Sequence, residues 1–278
     1  MIHSRFTLES RLAEPIHGDL RLPAGPGPYP AVVCCHGFKG WKDWGFHPWL
    51  GALLAEAGFA AVHFNFSRNG VRAADGDIED LEAFAANTLS IERDDLDAVL
   101  DAVVSGALDP SLDPARVGLL GHSRGGGIAL LGASGRGETK ALVTWAAVSH
   151  FDRVRDEATL AEWRRTGAYG VVNSRTGQVL PMGVAFLDDV LANLARLDLH
   201  AAAARLEAPW LLVHGRADET VPFAEAESLA AAKKGARLLA IEGGGHTFGA
   251  VHPFAGPTPH LAEAAAATVA HLRAALGA

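Results

Sequence analysis

Cysteine is nearly absent from this 278-residue chain, and the two that occur, Cys34 and Cys35, are neighbours. With no spaced pairs there is no disulfide framework to read, which fits a reducing compartment. Within the apolar run 31–35 a strand would turn the two thiols to opposite faces, as reduced core residues that cannot chelate one ion together. Basic excess is also missing: 24 Lys and Arg stand against 32 Asp and Glu, a formal charge of −8 spread without long single-sign runs. Nucleic acid and anionic membrane surfaces are therefore poor partners. No stretch reaches the roughly 18 uninterrupted apolar residues of a membrane span, since Glu56, Glu263 and Arg273 interrupt the candidates. Residues 1–10 lack the layout of a signal peptide, so a cytoplasmic location is expected. There is no H-E-x-x-H and no C-x-x-C, so no metal is expected. The glycines of 121–127 lack both the Lys-Ser/Thr ending of a phosphate loop and the Rossmann spacing, so no cofactor is expected either.

What is present is a globular composition, 49% hydrophobic and 20% charged, with 31 Gly and 14 Pro, which excludes disordered and collagen-like classes. The length fits one domain with a sizeable core. Residues 4–9, 16–22 and 31–35 read as strands, 49–57 as a helix ended by Gly58, and 59–66 as a strand. The segment 90–104 places Ile91, Leu96, Val99, Leu100 and Val103 on one helical face and Glu92, Arg93, Asp94, Asp95 and Asp101 on the other, and Asp109-Pro110 and Asp113-Pro114 are read as its terminators. Strands at 117–120, 141–148, 210–214 and 237–241 then alternate with helices at 123–134, 222–232 and 258–276. This rhythm predicts an α/β fold with a mostly parallel sheet covered on both faces and antiparallel strands at the N-terminal edge. One interval breaks it: residues 151–207 exceed what a crossover needs. They read as an insertion carrying helices at 157–165 and 188–197. Between these, a hairpin turns at Asn173-Ser174-Arg175-Thr176-Gly177, with Gly177 left-handed.

Gly121-His122-Ser123-Arg124-Gly125 is a G-x-S-x-G pentapeptide between the strand 117–120 and a helix, the setting in which a sharp turn pushes the serine hydroxyl out above a sheet. A serine hydroxyl needs a base to take its proton and a carboxylate to orient that base. Asp218 follows the strand 210–214 and His246 follows the strand 237–241, giving the chain order Ser, Asp, His that accompanies this elbow. Glu219 competes with Asp218, and His252 with His246; the shorter carboxylate next to the strand end and the glycines before His246 favour Asp218 and His246. An oxyanion needs two backbone donors. Arg124 N–H, at a helix N-terminus, is one; Phe38 N–H in His36-Gly37-Phe38-Lys39-Gly40 is the other, with Lys39 as fallback.

Through His36-Gly37-Phe38, the elbow, Asp218 and His246, the chain resembles the α/β-hydrolases over essentially its full length. Within that superfamily, G-H-S-R-G-G, H-G-x-x-D-E-x-V-P and the insert resemble the dienelactone-hydrolase-like proteins, the cinnamoyl (feruloyl) esterases and the catalytic domains of acyl-aminoacyl peptidases. The resemblance implies an eight-stranded sheet, a single domain over 1–278, and residues 151–207 as a cap inserted after strand 6. Dienelactone hydrolases carry a cysteine where this chain has Ser123, and the peptidases add a propeller for which there is no room. Both departures point to an esterase acting on a small-molecule ester, with small or aromatic acyl groups expected.

The same three residues would equally serve a thioesterase, acyltransferase or small peptidase, and a binding protein on this fold is the alternative from another class. Trp41 and Trp44, beside Phe46 and Trp49, either cover the sheet or line a substrate pocket. Lys39, and Trp163 and Tyr169 in the insert, are further pocket candidates, because ligands bind over the carboxyl ends of such strands. The oligomeric state is left open, a homodimer included.

Overall fold

In the computed structural model, which describes residues 1–72, 77–153 and 156–277, the chain opens with β1 (Ile2–Glu9), β2 (Pro15–Leu22) and β3 (Tyr29–Cys35). It continues through α1 (His47–Glu56), β4 (Ala60–Phe64), α2 (Leu81–Ala85), α3 (Leu89–Val104), β5 (Leu112–His122), α4 (Arg124–Ser134) and β6 (Thr139–Trp145). The inserted stretch holds α5 (Glu157–Thr166), β7 (Ala168–Val172), β8 (Val179–Gly183), α6 (Val184–Ala192) and α7 (Leu199–Arg205). The chain then closes through β9 (Trp210–Gly215), α8 (Phe223–Ala232), β10 (Arg237–Ile241) and α9 (Pro259–Leu276).

The main sheet has eight strands in the order β1-β2-β4-β3-β5-β6-β9-β10. β2 runs antiparallel to both β1 and β4, and the remaining pairs are parallel. This is the α/β-hydrolase architecture, and it follows from the strands' own composition. β3 is buried along its whole length, and its side chains alternate between two cores: Ala31, Val33 and Cys35 face one, Val32 and Cys34 the other. The two free thiols thus lie on opposite faces, as period-two geometry requires. The core on the Val33 face is completed by α3, α4, α7 and α8, and that on the Val32 face by α1 and α9. Helix starts are set locally: Thr88 accepts from Ile91 N–H at 3.2 Å ahead of α3, and Thr258 accepts from Leu261 N–H at 3.1 Å ahead of α9, with Pro259 in the first turn.

Three features differ from the periodicity reading. β5 begins at Leu112, so Asp113-Pro114 lies within a strand; the pairing jumps from Pro30↔Asp113 to Ala31↔Val117, and Pro114 falls in the resulting bulge, where it owes no ladder hydrogen bond. α2 is too short to carry a helical period and was not expected. In the insert the second helix occupies 184–192 rather than 188–197, and the added α7 packs against α4 and α8 as part of the core wall. The hairpin β7–β8 forms as expected, with Gly177 at φ +73°. No helix among the described residues is long and apolar enough to cross a membrane.

Candidate active site

Ser123 occupies the corner between β5 and α4 at φ +56°, ψ −123°, a conformation that a residue with a Cβ adopts only when its surroundings force it. The force is close approach. A Cβ on Gly121 would lie 2.3 Å from the Gly125 carbonyl oxygen, and one on Gly125 would lie 2.2 Å from that of His36. Only glycine at both positions lets the turn close and bring the loop after β3 against it.

Above the corner, Ser123 Oγ lies 3.0 Å from His246 Nε2, and His246 Nδ1 lies 2.8 Å from Asp218 Oδ2. With Nδ1–H donating to the carboxylate, Nε2 is left to accept the serine proton. Asp218 Oδ1 accepts from Thr220 N–H at 2.8 Å and Val221 N–H at 2.9 Å, which fixes the carboxylate plane. Burial alone would raise the Asp218 pKa, but the nearby imidazoles of His214 and His246 and the Val221 backbone N–H outweigh it and hold the carboxyl well below its ordinary range. A carboxyl held below its unfolded value near 3.8 adds stability above that pH and loses it as pH falls toward the folded value. The stability gap between wild type and Asp218→Asn is therefore expected to be full at neutral pH and to narrow below about pH 4. Urea unfolding across that range measures it, and a gap independent of pH would contradict the ionised, buried Asp218. Glu219 is exposed, and His252 Nδ1 accepts from Gly45 N–H at 3.0 Å, so neither rival takes part.

Two neutral histidines hold the loops. His122, kept neutral by burial and by its neighbour His246 (pKa pushed down to about 3), donates from Nε2 to the His246 carbonyl at 3.0 Å. His36, lowered to about 4 chiefly by burial, donates from Nδ1 to the Gly37 carbonyl at 3.0 Å and accepts from Phe66 N–H at 3.3 Å. His214 Nε2 donates to the Val221 carbonyl at 2.8 Å. All three follow or end strands and spend a ring nitrogen on a backbone carbonyl.

Arg124 N–H opens α4 and has no intrahelical acceptor, so it is free to donate beside Ser123. Phe38 sits across from it in the loop after β3. The Arg124 guanidinium lies 4.2 Å from the Phe38 ring centroid, and Phe38 stacks on Phe84 of α2 with centroids 5.6 Å apart. Arg124 is anchored by Glu92, whose Oε1 accepts from Arg124 Nη2 at 2.6 Å and from Asn87 Nδ2 at 2.8 Å. Burial pushes the Glu92 carboxyl up, and Arg124 and Asn87 pull it back. The Arg124 side chain thus bridges Glu92 of α3 and the Phe38 ring; the 90–104 helical face gave no sign of this.

These groups open onto a cavity of about 730 Å³, within the range of small-molecule sites. Ser123, His246, Phe38 and Lys39 line it, as do Trp44, Trp163 and Tyr169. Trp163 also donates from Nε1 to the Met182 carbonyl at 2.9 Å. Trp41 does not line the cavity. It is 1% exposed, packed with Phe84 of α2 and Leu180 of β8 and set edge-on to His252, so its ring is spent on the core beneath the hairpin. Sequence reasoning missed the insert's aliphatic wall, including Leu160, Met182 and Leu187, and the cations Arg153 and Arg175. Apolar residues at helical spacing in an insert gave no signal separating cavity wall from ordinary core.

Comparison with known proteins places this geometry in a family. The chain is 41% identical over 78 residues to the pimeloyl-[acyl-carrier protein] methyl ester esterase of Xanthomonas campestris pv. campestris, a match covering 28% of this chain and 29% of that protein. The chain thus spans less than a third of the length of that curated relative. Among solved structures, Est1E from Butyrivibrio proteoclasticus with ferulic acid bound is similar at TM-score 0.72 and 20% identity, covering 98% of this chain and 100% of that one. An esterase domain from a Rhodothermus marinus protein is similar at TM-score 0.67 and 20% identity, covering 100% of both. At such identities the likeness is one of fold. The sequence model of the Alpha/beta hydrolase family matches residues 32–266, most of the chain, and the protein belongs to that family.

Proposed function

We propose that the protein is a serine carboxylic-ester hydrolase in which Ser123, His246 and Asp218 form the catalytic triad and residues 151–207 serve as the cap. The observation that carries this reading is the chain of contacts from Ser123 Oγ to His246 at 3.0 Å and on to Asp218 at 2.8 Å, facing a cavity of about 730 Å³. In this reading Ser123 Oγ attacks the ester carbonyl while its proton passes to His246 Nε2, and Asp218 stabilises the imidazolium. The carbonyl oxygen takes up negative charge against the N–H groups of Phe38 and Arg124, each donor of this kind contributing about 3 to 4 kcal/mol in the transition state. The intermediate collapses by breaking the bond to the alcohol oxygen, which leaves with the proton from His246. The acyl-enzyme is then opened by a water whose proton His246 removes, regenerating Ser123 and releasing the acid. The apolar insert wall supports small or aromatic acyl groups, and the esterases among the similar proteins support ester cleavage.

Mixing enzyme with a p-nitrophenyl ester is expected to release a burst of p-nitrophenol matching the enzyme concentration. A fluorophosphonate probe is expected to modify Ser123 and to leave Ser123→Ala unmodified, read by peptide mapping. Undiminished ester turnover in Ser123→Ala would end this reading.

A further inference from the structure

The cavity inverts the charge of the molecule around it. The chain carries a formal −8, yet the cavity's described lining holds four cations, Lys39, Arg124, Arg153 and Arg175, against one carboxylate, Asp152. Asp152 has a partner of its own. The three arginines are each neutralised by a carboxylate outside the lining: Arg124 by Glu92 at 2.6 Å, Arg153 by Glu225 at 3.1 Å, and Arg175 by Asp77. Among the described residues Lys39 has no such partner. Its ammonium meets the Val172 carbonyl at 3.2 Å and lies 5.9 Å from the Phe38 ring centroid. An ammonium has three donors, and one carbonyl uses one of them.

The backbone adds an independent observation. Lys39 is held at φ +60°, the left-handed region, between Phe38 and Gly40. A residue with a Cβ at such a position is strained, and strain retained beside an active centre is a pointer to function. Burial in turn disfavours the charged amine, and no carboxylate among the described residues compensates it.

We infer that the substrate is an ester bearing an anionic group, a carboxylate or a phosphate, and that Lys39 is the residue that selects for it. This rests on the esterase reading above and narrows its substrate class. Val172 ends β7, so the Lys39 ammonium sits where the oxyanion loop meets the hairpin, and the anion would be held there while the ester carbonyl lies at Phe38 and Ser123. The same cavity is walled by apolar residues, Phe151, Leu160, Trp163 and Val171 among them. The favoured ligand is thus charged at one end and apolar between that end and the ester. Clefts lined by one sign of charge with low-dielectric walls also concentrate ligands of the opposite sign.

The test compares kcat/KM for matched esters. One arm sets a p-nitrophenyl ester of an eight-carbon acid ending in carboxylate against p-nitrophenyl octanoate. The other sets a 4-carboxyphenyl octanoate against its neutral carboxamide, so that the two arms place the anion on the acid or on the alcohol. In at least one arm the wild type is expected to prefer the anionic ester, with the preference shrinking as salt is raised. Lys39→Met is expected to reduce the anionic-to-neutral ratio about 10- to 100-fold, the range of one charge-assisted hydrogen bond, and Lys39→Arg to recover most of it. Equal losses on both members of each pair would make Lys39 a tether for the hairpin and overturn the inference, as would a wild type that prefers neutral esters in both arms. If Ser123→Ala still turns over these esters, the esterase reading has failed instead, and the two failures are told apart.

Discussion

Truncating His246 to alanine is expected to lower ester kcat about a million-fold, and truncating Ser123 in the same chain is expected to lower it no further. The geometry gives the reason. His246 Nε2 faces Ser123 Oγ at 3.0 Å, and with the imidazole gone the hydroxyl has no acceptor for its proton, so the intact serine is as inert as an absent one. The two losses therefore overlap instead of adding, which independent contributions would not do. Asp218 is different in kind. It orients and charges the system from behind, through the 2.8 Å contact to Nδ1, so Asp218→Ala is expected to cost about ten thousand-fold and to leave a slow but Ser123-dependent activity. Single-turnover measurements on the two single variants and the double variant decide the matter. Losses that multiply in the double variant, or a His246→Ala enzyme retaining a hundredth of wild-type kcat, would mean that another group accepts the proton.

Gly125→Ala is expected to destabilise the fold by more than about 4 kcal/mol, or to prevent folding, although helix propensity alone favours alanine over glycine by about 1 kcal/mol in the first turn of α4. Sterics decide the sign. The added methyl would meet the His36 carbonyl oxygen at 2.2 Å and the Cys35 carbonyl oxygen at 2.6 Å. Both are main-chain atoms at the end of a central strand, so no rotamer change relieves the clash, and separating α4 from β3 would dismantle the oxyanion loop. Gly137 is the control: nothing lies within 4 Å of its would-be Cβ, and Gly137→Ala is expected to stay within about 0.5 kcal/mol of wild type. Denaturant midpoints of the two variants give the comparison, and equal midpoints would refute the steric argument.

The parts of the site legible in the sequence are those where chemistry and backbone geometry constrain a few adjacent residues. The elbow is such a place, since Gly121 and Gly125 are required by contacts a few ångströms away, and Asp218 and His246 follow strands that buried apolar runs announce. Support from distant segments left no trace. α2 has five residues, too few to show a period, yet its Phe84 backs Phe38. Glu92 looked like one acid on a polar helical face; it is 2% exposed and holds Arg124. Trp41 and Trp44 are close in sequence, but only Trp44 reaches the cavity, while Trp41 is buried against Phe84 and Leu180, residues far from it in the chain. Pro114 looked like a terminator because its tolerance within β5 depends on a bulge set by pairing with β3.

The strand order also bears on how the molecule comes into being. β3, β4, β5 and β6 form the middle of the sheet, whereas β9 and β10, whose following loops carry Asp218 and His246, are added last at one edge. Ser123 and His246 are 123 positions apart, so a ribosome adding about 5 to 20 residues per second exposes the serine about 6 to 25 s before the histidine. Throughout that interval the nascent chain carries the serine hydroxyl without His246 beside it, and the contact between them can form only as the final strand joins the sheet.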